Sequence, residues 1–248
     1  MSVYNLVFSP TGGTEKVMNI LAAEFENAQT IDLSAADFAV PALSENDLCL
    51  IGVPSFGGRV PAVAMERIAK FAANGAKAVL VVVYGNRAID DTLAELKHGA
   101  DACGFKTIAA ISAVAEHSIM RCYAAGRPDA RDAEELRGFA KQILANLSPD
   151  HEITVPGKVP EKPYAASAMK PITSDACTAC GLCAEKCPAG AIPADDPAKT
   201  DPDKCFTCMR CISVCPVNAR ALNPEIVAGI TQKLAPMLSG RKNNELFI

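Results

Sequence analysis

The chain has 248 residues, half of them apolar, with 24 Lys and Arg against 28 Asp and Glu, so its formal net charge is −4. That length allows one full α/β domain plus a smaller module, and mild acidity without a Lys/Arg run gives no electrostatic footprint for a nucleic acid. No stretch approaches the roughly 20 unbroken apolar residues of a membrane span, and the start, MSVYNLVFSPTGG, lacks the basic residues and cleavage site of a signal peptide, so the expected location is cytoplasmic and off the membrane.

Residues 1–147 alternate strand-like and helix-like segments. Val3–Ser9 is an apolar run of the kind that suits a central parallel strand buried on both faces. It ends in Ser9, Pro10, Thr11, Gly12, Gly13 and Thr14, and a helical pattern follows at once in Val17, Ile20, Leu21 and Phe25. A turn of glycines and small hydroxyls between a strand and a helix aims backbone N–H groups at an anion. It lacks the lysine of a P-loop, and the dinucleotide fingerprint Gly-x-Gly-x-x-Gly is absent. Glycine also serves such turns for steric reasons alone.

Gln29–Leu33 is a weaker strand, and Leu48–Pro54 a strong one. The latter runs into PSFGGRVP, a loop in which Pro54, Ser55, Phe56, Gly57 and Gly58 include one aromatic. Ala78–Gly85 is the next Val-rich strand and ends in Tyr84, Gly85, Asn86 and Arg87. Thr107–Val114 precedes a long loop, Ala115–Asp129, that carries His117 and Cys122. His117 could meet a substrate or a proton, although an exposed loop histidine is the commoner case. A last helical pattern begins at Pro128-Asp129 and repeats in Leu136, Phe139, Ile143, Leu144 and Leu147. Five βα units in a row predict a doubly wound parallel sheet. In the five-stranded order 2-1-3-4-5, ligands sit at the carboxyl ends of strands one and three, where the winding reverses. The phosphate turn and the two aromatic-bearing loops fall there or beside it, which fits a molecule with a phosphate tail and a flat ring.

Residues 148–171 carry five prolines and read as a linker, long enough to span about 70 Å if extended. The remaining signal is in the cysteines. Of eleven, three (Cys49, Cys103, Cys122) are scattered and eight follow Cys-x2-Cys-x2-Cys-x3-Cys-Pro twice. The first set is Cys177, Cys180, Cys183 and Cys187; the second, 28 positions on, is Cys205, Cys208, Cys211 and Cys215. Disulfides suit secreted chains, and zinc pairs come without a third cysteine in step or a trailing Cys-Pro. Three thiolates from one tight turn reach one iron–sulfur cubane while the fourth ligates the other. Cluster one then takes Cys177, Cys180, Cys183 and Cys215, and cluster two takes Cys205, Cys208, Cys211 and Cys187. Ile172, Ala191, Ile192, Val214, Val217 and Ala221 are the expected apolar shell around the sulfurs. The segment 224–248 reads as an amphipathic helix and a tail that pack on this chain or on a second copy.

Residues 172–223 resemble the bacterial two-cluster ferredoxins, a small α+β fold, and residues 1–147 resemble flavodoxins, whose phosphate loop is Ser/Thr-x-Thr-Gly-Asn/Gly-Thr. The resemblance implies FMN. Ser9, Thr11 and Thr14, with amides around Gly12 and Gly13, would hold its phosphate, Phe56 would contact the ring, and Tyr84 to Arg87 would line the other side. Unlike typical flavodoxins the chain has no Trp, and Arg59 and Arg87 lie in the ring loops. One of them is expected to stabilise the reduced flavin or an incoming anion. The whole chain resembles flavodoxin–ferredoxin fusions (flavoferredoxins). That implies a relay between one-electron carriers and FMN through two 4Fe–4S clusters, with redox proteins as partners. The alternative is an FMN-dependent reductase of a small molecule with the clusters as internal relay. The linker is compatible with a homodimer in which one chain's clusters approach the other's flavin.

Overall fold

The computed structural model describes residues 1–148, 150–165 and 167–248. In chain order the elements are β1 (Val3–Val7), α1 (Gly13–Ala22), β2 (Gln29–Asp32), β3 (Leu48–Pro54), α2 (Ala62–Ile68), β4 (Lys77–Tyr84), α3 (Thr92–Ala102), β5 (Lys106–Val114) and α4 (Ala130–Ala145). They are followed by β6 (Ile172–Thr173), α5 (Leu182–Glu185), α6 (Arg210–Ser213), β7 (Arg220–Ala221), α7 (Pro224–Leu238) and β8 (Glu245–Phe247).

The main sheet runs β2-β1-β3-β4-β5-β8, and the first five strands are parallel throughout. The predicted doubly wound order is present, and the tail adds what the sequence does not announce. β8 pairs antiparallel to the outer edge of β5, covering a backbone row that would otherwise be an exposed edge. Period-two alternation divides the core. Leu48, Leu50, Val79 and Val81 face α1 and α4, whereas Cys49, Ile51, Leu80 and Val82 face α2 and α3. Gly52 lets α1 approach β3: a Cβ there would lie 2.4 Å from Met18 Sδ.

The tail is held by polar contacts. Asn86 Nδ2 donates to Leu238 O (2.6 Å) and Gly240 O (2.7 Å), and Arg241 reaches Asp129 at 2.6 and 3.0 Å. Asn244 Nδ2 donates to Glu135 (2.7 Å) and Asp132 (3.1 Å), and its Oδ1 accepts from Val114 N at 2.9 Å. Under it lies the buried pair Arg127–Asp132. Burial pushes the Asp132 carboxyl up, but the Arg127 guanidinium and the Asp129 amide outweigh it and leave it below the usual carboxylate range. α7 itself contributes only Leu238 to the buried residues, so it is the tail beyond it that docks.

The segment expected as a linker does not reach across open space. Apart from Pro149 and Ala166, which lie outside the described residues, it follows the α3 side of the first domain. Glu152 pairs with Lys97 (3.0 Å), Lys158 N donates to Asp91 (3.0 Å), Arg59 donates to Lys162 O (3.1 Å), and Val155 and Tyr164 pack against the core. The cysteine module then returns to the sheet. Phe206 and Cys208 belong to the same apolar cluster as Leu6, Phe8 and Val53. Two arginines cross the seam in opposite directions. The buried Arg67 of α2 donates to Pro188 O (2.7 Å) and to Leu33 O. Arg210 of α6 donates to Ser9 O (3.2 Å) and Pro10 O (3.3 Å).

Candidate functional site

The duplication in the sequence is repeated by the backbone. Left-handed residues recur 28 positions apart: Ala179 (φ 52) with Thr207 (φ 58), Gly181 (φ 78) with Met209 (φ 68), and Gly190 (φ 57) with Asn218 (φ 52). The short helices α5 and α6 keep the same offset. So do two amide-to-sulfur hydrogen bonds, Ala191 N to Cys187 Sγ (3.3 Å) and Ala219 N to Cys215 Sγ (3.2 Å). A tight turn with positive φ inside each Cys-x2-Cys points successive thiols to one side, and N–H donors on sulfur are a lever on cluster potential.

The eight cysteines line two cavities, four to each. Cys187, Cys205, Cys208 and Cys211 line the first, and Cys177, Cys180, Cys183 and Cys215 the second. These are the two sets expected from the spacing, with the fourth cysteine exchanged between repeats. No three His, Cys, Asp or Glu side chains among the described residues converge on a point that would hold a single ion, whereas a ring of four thiols about a cavity has the chemistry of a cubane site. Burial pushes the Cys208 thiol up to about 12 and Cys211 up to about 11. Such thiols stay protonated near neutrality, and it takes the charge of bound iron to make them thiolates. Of the expected apolar shell, Ala191 and Ile192 are buried, but Ile172 and Val217 are exposed. Ala221 is exposed as well, Val217 still lines the second cavity, and Phe206, Met209 and Pro188 line the first.

At the carboxyl end of the sheet lies a third cavity, of about 290 Å³, near the lower end of the range for small-molecule sites. The predicted Ser9, Pro10, Thr11, Gly13, Thr14, Pro54, Ser55, Phe56, Gly57, Tyr84 and Gly85 all line it. The first N–H groups of α1 have no intrahelical carbonyl to bond, and one of them, Glu15 N, donates to Ser9 Oγ at 2.9 Å. Gly12 opens the turn at φ 86, a conformation that favours glycine. These features suit a small anion at the turn, and the aromatic walls suit a flat ring. The donor set therefore fits FMN.

Four predicted residues lie off the lining: Gly12, Gly58, Asn86 and Arg87. Gly57 (φ 62) and Gly58 (φ 80) are the central pair of a turn between Phe56 and Arg59, whose backbones bond at 2.9 and 3.3 Å. Two positive φ values make it a type I′ turn. The glycines are thus required by the turn itself. The Asn86 amide is taken by the tail. The two loop arginines also turn away. Arg59 forks onto Glu95 at 2.9 and 2.7 Å, and Arg87 pairs with Asp90. Neither lines the cavity, so the geometry lends no direct contact to their expected action on the flavin, and both guanidinium groups are paired with carboxylates.

The rest of the wall comes from the proline-rich segment and the cysteine module, which the sequence did not bring to the site, and from the loop after β5, whose His117 it did single out. Tyr164, Ala165 and Ser167 of the proline-rich segment line it, as do Phe206 and Thr207 from between Cys205 and Cys208. The Phe206 ring lies 6.3 Å from both Phe8 and Phe56, centroid to centroid. Glu116, His117, Ser118 and Ile119 complete it. The signal for Phe206 was present, because the equivalent position of the first repeat is Thr178 and a large apolar side chain between two ligand cysteines has to be buried somewhere.

A family model described as a 4Fe-4S dicluster domain matches residues 176–219. The chain therefore joins a doubly wound α/β domain of strand order 2-1-3-4-5 to a segment that matches a 4Fe-4S dicluster domain. No curated protein shows significant sequence similarity to this fusion. Among solved structures, a Streptococcus pneumoniae flavodoxin is 17% identical over 58% of this chain and 99% of its own, with a TM-score of 0.41. The Megasphaera elsdenii flavodoxin is 18% identical over 56% and 98%, at 0.40. A response regulator from Colwellia psychrerythraea is 13% identical over 60% and 100%, at 0.34. No helix among the described residues is long and apolar enough to cross a membrane.

Proposed function

We propose that the fusion is an electron-transfer iron–sulfur flavoprotein that holds FMN in the 290 Å³ cavity and two 4Fe–4S clusters in the cysteine module. In this reading 1–147 is the FMN domain, 148–171 the connecting strap, 172–223 the two-cluster domain, and 224–248 a helix and tail. The observation that carries it is the placement of Phe206 and Thr207: they stand between two cysteines of one ring and also form the wall of the cavity.

Iron–sulfur clusters pass single electrons and FMN holds one or two, so a chain with both can join one-electron carriers to a two-electron partner. The residues supply the rest. The Ser9–Thr14 turn and the positive end of α1 bind the phosphate. Phe56, Tyr84, Tyr164 and Phe206 hold the ring and exclude water. Arg67 and Arg210 fix the seam, so the distance between the Cys187/Cys205/Cys208/Cys211 ring and the cavity is set by the fold. That ring is the proximal station and the Cys177/Cys180/Cys183/Cys215 ring the outer one, where Cys180 is exposed. Redox proteins are the partners.

The polar Glu116–Ser118 stretch supports a second reading, reduction of a small acceptor beside the flavin. Iron, sulfide and flavin analysis of anaerobically purified protein tests the proposal. About eight irons and one FMN per chain are expected. Protein with four irons, or without flavin after reconstitution, contradicts it.

A further inference from the structure

His117 lies in the loop after β5 and forms part of the cavity wall. Its Nδ1 accepts from two backbone amides, Ile119 N at 3.1 Å and Met120 N at 3.2 Å. An atom that accepts two N–H donors carries no proton, so the ring is neutral and its hydrogen sits on Nε2. The same conclusion follows from its surroundings, because burial and the neighbouring Arg87 both hold its pKa below the ordinary histidine value. The ring is also fixed in place. It packs against Gly85 so closely that a Cβ there would lie 2.7 Å from His117 Cδ2 and 2.8 Å from Cγ. The backbone of the loop is tied as well, with His117 N donating to Tyr123 O at 3.1 Å and Glu116 N to Arg127 O at 3.1 Å. Nε2–H has no protein acceptor among the described residues. A donor with its tautomer and orientation set in advance, bordering a cavity, is the arrangement that stabilises negative charge developing on a bound group.

We infer that His117 is a binding residue of the cavity, donating a hydrogen bond from Nε2 to the flavin and holding the reduced, negatively charged ring more tightly than the oxidised one. This rests on FMN being the occupant. No covalent bond changes; the electrons come from the clusters, and His117 supplies only the donor. Unlike Arg59 and Arg87, which lie off the lining, His117 borders the cavity itself.

Two variants separate the donor from the loop. In His117→Asn the side-chain oxygen can still accept from Ile119 and Met120 in the manner of an Asx turn, but nothing reaches the position of Nε2. In His117→Gln the amide nitrogen reaches that position. For wild type and both variants, in the full-length holoprotein, the dissociation constants of oxidised and reduced FMN are measured. The ratio Kd(oxidised)/Kd(reduced) is expected to fall about tenfold in His117→Asn, a drop of about 30 mV in the two-electron midpoint, and to stay within about twofold of wild type in His117→Gln. Nitrogen NMR of histidine-labelled wild type at neutral pH should show His117 as the Nε2–H tautomer. An unchanged ratio in His117→Asn, or an Nδ1–H or doubly protonated ring, overturns the inference. Wild-type protein that binds no flavin overturns the proposed function and this inference together, whereas flavin-loaded wild type indifferent to His117→Asn overturns the inference alone.

Discussion

Thr178 and Ala179 stand in solvent, whereas their counterparts 28 positions later, Phe206 and Thr207, are buried in the wall of the cavity. Leu182 opens α5 without crossing the seam, and its counterpart Arg210 opens α6 with its guanidinium on the carbonyls of Ser9 and Pro10. The two repeats keep one backbone because the cluster chemistry fixes where cysteines and left-handed residues must sit. The residues between the ligands are free to differ, and in this chain they give one repeat an inner face and the other an outer face. A duplicated module thereby becomes two-sided.

The comparison can be broken most severely at the ligands. Cys208→Ala should abolish the proximal cluster, and Cys180→Ala the outer one. Iron analysis should show about half the iron lost in each, but only Cys208→Ala should also loosen the seam and lower flavin retention, by tenfold or more. Equal flavin loss in the two would erase the distinction between inner and outer repeats. Next in size is the wall. Phe206→Ala removes a buried aromatic between Phe8 and Phe56 and should cost about 3–5 kcal/mol in chemical denaturation, while Thr178→Ala should stay within about 0.5 kcal/mol.

The seam arginines give a smaller effect. Arg67→Ala leaves the carbonyls of Pro188 and Leu33 without their buried donor and should cost about 2–3 kcal/mol by thermal melting. Arg210→Ala, half-buried and on longer bonds, should cost about 1 kcal/mol. The smallest effect near neutrality is electrostatic and lies away from the seam. Asp132 has a folded pKa below its unfolded value of about 3.9. The stability it contributes is therefore complete above that value and is lost as pH falls through the folded pKa. The protection factors of the β8 amides, measured against intrinsic exchange at each pH, should be high at pH 7 and fall below about pH 4, ahead of those in β3.

The parallel sheet was legible because its central strands are buried on both faces, whereas β2, largely exposed, reads weakly. Leu48–Pro54 is apolar throughout and was bounded to the residue, and β4 was displaced by one position. The cysteine rings were legible because ligand spacing is a covalent constraint carried within one short segment. The sixth strand was not, since Glu245–Phe247 has three residues and no periodicity, and its order comes from Asn86, Asn244 and Arg241 finding partners more than a hundred positions away. Arg59 looks like a ring contact in the sequence for the same reason: the carboxylate of Glu95 that captures it is 36 residues on, whereas Arg87 pairs with Asp90 in its own loop. The proline-rich segment was expected as a spacer by composition, but Val155 and Tyr164 are the apolar exceptions that attach it to the first domain.

The central claim is that electrons reach the cavity through the outer and then the proximal ring. Anaerobic stopped-flow reduction of the flavin by a one-electron protein donor, in wild type and in flavin-loaded Cys180→Ala, tests it directly. Wild-type flavin should be reduced after the clusters, and in Cys180→Ala its reduction by the protein donor should slow at least tenfold while photochemical reduction still proceeds. Flavin reduced at the wild-type rate without the outer cluster would contradict the account.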